Sequence, residues 1–220
     1  MGASNSIKNL LCSNIFSMLH PDFGELSNNE QYNLMAEKFY IEEHANEILF
    51  AYNQYEKSMN GDSKKYTREE LLRLAVNHLR GRELFDKLHP DYAILNSAKQ
   101  LRLQSEKTFI EDNLPLIDTV FQDYLTSNEV KGIGLSEYTI LRTAVNYVWA
   151  DKIFYAIYPN FNEYTREEKF SIIDDLNIIR DFTEEFIFIY QDLVHDSSNK
   201  NKKQRDLLKE ALVELKKRKK

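Results

Sequence analysis

The octapeptide Phe85-Asp-Lys-Leu-His-Pro-Asp-Tyr92 has two counterparts in this chain of 220 residues, Phe16-Ser-Met-Leu-His-Pro-Asp-Phe23 before it and Phe154-Tyr-Ala-Ile-Tyr-Pro-Asn-Phe161 after it. Phe16, Phe85 and Phe154 stand 69 residues apart both times. A period kept without insertions marks a chain made of copies of one supersecondary unit, none of which buries its apolar face alone. Any fold for this chain has to accommodate that interval.

The segment after each proline reads as a long helix. Ser27, Asn96 and Thr165 coincide at the period, and each carries a side-chain oxygen able to accept from the unpaired N–H groups of a helix start. Ile41, Ala45, Ile48, Tyr52 and Tyr55 recur as Ile110, Leu114, Ile117, Phe121 and Tyr124, then as Ile179, Thr183, Phe186, Tyr190 and Leu193. Steps of four and three residues describe a seam that packs lengthwise against its neighbours. The spacing predicts helices of about 30 residues, roughly 45 Å long at the helical rise, with a kink or split at Pro115 in the second. A shorter helix comes after each polar turn, with Leu72-Arg-Leu-Ala-Val-Asn77 matched by Leu141-Arg-Thr-Ala-Val-Asn146. Arg73 and Asn77 share a helix face, as do Arg142 and Asn146, and one member of each pair is expected to be hydrogen-bonded within its own unit.

Both ends of the chain fit the same scheme. Residues Ile7 to Leu19 match the second half of the short helix and Asp206 to Ala211 its first half. The expectation is therefore an all-α protein of three tandem 69-residue helical hairpins with about seven helices. Either a solenoid or a closed pseudo-threefold bundle satisfies the pattern. Residues 1–198 are expected to form one all-helical domain, and residues 199–220 a basic helix packed on the last repeat.

Charge separates those two parts. Residues 199–220 hold ten Lys or Arg against Asp206, Glu210 and Glu214, a net of +7, which leaves −13 for the rest of a chain whose formal charge is −6. An acidic body is not a nucleic-acid surface, so phosphate of nucleic acid or anionic lipid would meet Lys216, Lys217, Arg218, Lys219 and Lys220. Six glycines leave little material for phosphate-binding loops, and no glycine-rich phosphate loop or nucleophile elbow is present. The five histidines show no metal-ligand spacing. No catalytic, cofactor-binding or metal-binding residue is assigned, and no small-molecule substrate is indicated.

The tripeptides His20-Pro21-Asp22 and His89-Pro90-Asp91, the first followed by Ala36-Glu-Lys-Phe39, resemble the segment of J-domains that engages Hsp70 chaperones. The resemblance covers about 30 residues per unit and implies a cochaperone that uses those six residues. The third copy departs from it, reading Tyr158-Pro159-Asn160. The packing alternative is that proline stops one helix and Asp or Asn starts the next.

Residues that break the period are where function is expected, because symmetry accounts for the others. Trp149, the single tryptophan, replaces Arg80 and reads as an interface anchor or a core filler. Met1-Gly2-Ala-Ser-Asn-Ser6 satisfies the myristoylation pattern, with Gly2 as the acceptor and Cys12 as a site for a second acyl chain. One cysteine forms no intrachain disulfide, no signal-peptide pattern is visible, and a cytoplasmic protein, membrane-associated if Gly2 is acylated, is expected. The leading functional expectation is a non-enzymatic helical-repeat adaptor or regulator that binds a protein partner. The alternatives are binding of nucleic acid or an anionic membrane through residues 199–220, a J-domain-like cochaperone and, weaker than these, a helical bundle holding a small apolar ligand among its Phe and Tyr side chains.

Overall fold

The computed structural model describes residues 12–58, 66–127 and 133–219. Gly2, Lys220 and residues 7–11 of the segment matched to the short helix lie outside the described residues, as do residues 60–65 of the first polar turn and 128–132 of the second. The protein is all-α, with no strand among the described residues. Its helices are α1 (described over 12–19), α2 (Asn28–Ser58), α3 (Arg68–Leu88), α4 (Ser97–Thr126), α5 (Glu137–Ile157), α6 (Arg166–Asp181), α7 (Thr183–His195) and α8 (Gln204–Arg218). None of these helices is long and apolar enough to cross a membrane. The chain divides into two compact units, Met1–Glu83 and Leu84–Lys220, and each is described by itself.

The proline turns are built alike. A short 3-10 helix comes after each, at Phe23–Glu25, Tyr92–Ile94 and Phe161–Glu163. Asp22, Asp91 and Asn160 precede them with φ/ψ of −93°/13°, −92°/7° and −98°/20°. Leu26, Leu95 and Tyr164 then turn the chain into the extended region, each with φ near −70° and ψ near 150°. The next helix starts on the expected caps: the Ser27 and Thr165 hydroxyls accept from the N–H groups of Glu30 and Glu168, and the Asn96 side chain accepts from that of Lys99.

The long helices are not continuous. Backbone angles leave the helical region at His44 in α2 (φ −109°, ψ 19°) and at Asn113 in α4 (φ −117°, ψ 15°). At the third equivalent position, Phe182, the break separates α6 from α7. Pro115 is therefore not the origin of the kink, because the same break occurs where no proline follows. It sits in the first turn of the second half-helix, where a missing N–H costs nothing.

The first three positions of the predicted seam are buried in each copy, whereas Tyr52, Tyr55, Phe121, Tyr124, Tyr190 and Leu193 at the last two are only partly so. Ile41, Ala45, Ile48, Ile110, Ile117, Ile179 and Phe186 are all 0% exposed. In the first unit it packs with Phe16 and Leu19 of α1 and with Leu72, Ala75 and Val76 of α3. The second unit holds two clusters. One joins Phe85 and Leu88 to α4 and to the first half of α5, and the other joins Phe154 and Ile157 from the end of α5 to α6, α7 and α8. Each half of α5 thus serves a different cluster, and the leucines of α8 close the second.

Candidate functional site

Each proline turn throws the residue before it back against its phenylalanine, at ring-centroid distances of 4.8 Å for Phe16–His20, 4.7 Å for Phe85–His89 and 5.1 Å for Phe154–Tyr158. That residue then meets a carboxylate on the long helix. His20 Nε2 lies 3.4 Å from Glu37 and 3.3 Å from an Arg73 Nη, and Arg73 forms a short ion pair with Glu37. The second Arg73 contact is the Leu19 carbonyl, at 3.3 Å.

The same three residue types, each 69 positions on, assemble in the second unit. His89 Nε2 lies 3.1 Å from Glu106 Oε2 and 3.1 Å from Arg142 Nη2, and Arg142 pairs closely with Glu106. Here Arg142 also approaches Glu184 of α7, at 3.7 Å. Burial opposes the charge on Glu106, yet the hydrogen bond from His89 and the Arg142 charge outweigh it and hold the carboxyl below its ordinary value. Burial likewise opposes the Arg142 charge, and Glu106 more than compensates.

The third junction keeps the plan with other residues. Tyr158 donates to Asp175 at 2.5 Å, and Lys216 of α8 forms a short ion pair with the same carboxylate. Burial and the bond to Asp175 raise the Tyr158 pKa well above the usual phenol range. Arg205 donates to the Ile157 carbonyl at 2.9 Å, the contact that Arg73 makes to Leu19. Two cations of α8 therefore divide the work that one arginine does in the first unit.

The units differ beside these junctions. In the first, Tyr40 stacks on His44 at 4.4 Å and donates to Glu83 at 3.0 Å, and the Arg80 guanidinium lies 5.8 Å over its ring. At the positions 69 residues on, Phe109 replaces Tyr40 and Trp149 replaces Arg80, and their rings stack at 4.5 Å and 6°. Lys152 stands where Glu83 does. A groove of about 360 Å³ lies beside the stacked pair, between α4, α5, α7 and α8. Its floor is Ile153, Phe186, Ile187 and Leu208, its walls Phe109, Trp149 and Tyr190, and its rim includes Asp112 and Lys152.

Away from the groove, Pro21, Asp22, Pro90 and Asp91 are exposed, and neither Asp caps its turn through its side chain. Lys216 and Lys219 pair with Asp175 and Glu185, with Lys219 also 4.1 Å from the centre of the Phe182 ring. Lys217 and Arg218 both pair with Glu214. Cys12 is buried in the first-unit core with its thiol directed at the Glu42 carbonyl, so acylation there requires α1 to open. Among the described residues no three His, Cys, Asp or Glu side chains converge as a metal site.

Glu37, Glu106 and Asp175 are not among the residues to which the sequence points, although the junctions are built on them. A signal is nonetheless present: these acids keep the 69-residue period one turn before the seam residues Ile41, Ile110 and Ile179. Comparison with protein-family models, with curated proteins and with solved structures finds no match.

Proposed function

We propose that the protein is a non-enzymatic interaction module whose Trp149 groove receives an apolar anchor from a basic segment of a protein partner. The observation that carries this reading is the groove itself, walled by the stacked rings of Phe109 and Trp149 at the positions where the first unit has Tyr40 and Arg80, with Tyr40 bonded to Glu83. Aromatic side chains in a concave apolar site are the usual anchors of recognition.

Charge names the kind of partner. Residues 84–198 carry ten Lys or Arg against twenty Asp or Glu. The same unit already holds one amphipathic basic helix, α8, by burying its leucines and pairing its lysines with Asp175 and Glu185. Large apolar side chains also stand exposed at one repeated position, Tyr32 (78%), Leu101 (66%) and Phe170 (64%), 69 residues apart, the last with the Arg166 guanidinium 5.5 Å over its ring.

The test is cross-linking capture in host cells, followed by binding of the purified, identified partner. Wild type should bind it, Trp149→Ala and Phe109→Ala should weaken binding at least tenfold, and Arg80→Ala should not. Equal binding by wild type and both groove variants would remove the proposal.

A further inference from the structure

Rings in this chain are repeatedly covered by cations. In the first unit the Arg80 guanidinium lies 5.8 Å over Tyr40. In the second, Arg102 lies 5.7 Å over Phe188, Arg180 4.2 Å over Tyr147 and Lys219 4.1 Å over Phe182. Phe109 holds the position of Tyr40, and the residue at the position of Arg80 is Trp149, so an indole stands where the first unit has a guanidinium. Among the described residues no cation lies over Phe109 or Trp149. With the groove taken as the recognition site, on which this assignment rests, we propose that the basic segment it receives sets an arginine over these two rings. Its guanidinium donates to the Gln191 side-chain carbonyl and pairs with Asp112.

Three features select that head group. The first is the ring pair, half-buried and part of the groove wall. An indole attracts cations more strongly than the other aromatic rings do, and a planar guanidinium stacks on a ring where an ammonium acts only as a point charge.

The second is Gln191, also of the groove lining. Its amide nitrogen donates to the Arg102 carbonyl at 3.1 Å and to the Ser105 hydroxyl at 2.6 Å. A backbone carbonyl only accepts, so the nitrogen is fixed on that side and Oε1 is turned to the other. That oxygen is buried and has no donor among the described residues. An acceptor left unmet in this way is costly until a donor reaches it.

The third is Asp112, exposed on the rim one helical turn after Phe109 and without an ion pair among the described residues. The five N–H donors of one guanidinium can serve a carboxylate and a carbonyl oxygen together, whereas an aliphatic anchor serves neither. Lys152, on the same rim, is the one charged lining residue that opposes a cation.

Trp149 is the single tryptophan, so its indole N–H resonance reports on the groove alone. Butylguanidinium, butylammonium and pentanol carry similar apolar stems on different head groups. Titrated into the full chain, butylguanidinium should shift the Trp149 resonance saturably, with a Kd about fivefold or more below those of the other two. Gln191→Met and Asp112→Asn should each weaken its binding about threefold or more, and Lys152→Gln should strengthen it. A wild-type resonance that does not shift saturably overturns the assignment, as does a Kd for butylammonium or pentanol equal to that of butylguanidinium. Binding unchanged in both Gln191→Met and Asp112→Asn overturns it as well. Loss of partner binding in Trp149→Ala beside a flat butylguanidinium titration removes the arginine and leaves the recognition site. Saturable butylguanidinium binding beside partner binding that ignores Trp149→Ala removes the recognition site instead.

Discussion

Glu106 is a carboxylate with 9% of its side chain exposed, tolerable because Arg142 and His89 both satisfy it. Removing one partner of such a pair strands the other, so Glu106→Gln should lose about 3–5 kcal/mol in urea denaturation at neutral pH. The sign of the pH dependence comes from its lowered pKa. Stability from Glu106 is fully present above the ordinary value of 4.5 and is lost as pH falls through the lower folded value. The gap between wild type and Glu106→Gln should therefore narrow in strongly acidic urea titrations; a gap that widens contradicts the assignment. Phe154, 0% exposed, should cost about 3–5 kcal/mol on replacement by Ala.

At the scale of the element, the break in each long helix is a property of its position. His44, Asn113 and Phe182 have little in common as side chains, yet the chain leaves the helical region at all three. Pro115→Ala should therefore leave the bend at Asn113 in place and change stability by less than about 1 kcal/mol. A crystal structure of that variant with a straight α4 would restore proline as the cause. For α8 the contrast lies between its faces. Leu215, 0% exposed, should cost about 2–5 kcal/mol on truncation to Ala. Val213, 53% exposed, should cost within about 0.5 kcal/mol. Thermal unfolding of the two variants separates a packed helix from a loosely attached basic tail.

For the whole molecule, the acidic excess in residues 84–198 predicts salt-sensitive capture of a basic partner. Stopped-flow association should slow roughly tenfold or more between low and high ionic strength, while dissociation changes little. An association rate indifferent to salt would show that the groove acts without steering.

Much of this architecture is legible in the sequence because periodicity and capping are local. Phe16, Phe85 and Phe154 announce the interval, Ser27, Asn96 and Thr165 the helix starts, and the steps of four and three the buried seam. These arise from backbone geometry and from which side chains avoid water, and neighbouring residues suffice to express them. The meeting of His89 with Glu106 and Arg142 spans 53 residues, and the opening beside Trp149 needs four helices to pack. Only the tertiary structure decides such things, because a charge's partner and a groove's depth depend on distances through space that no local pattern encodes.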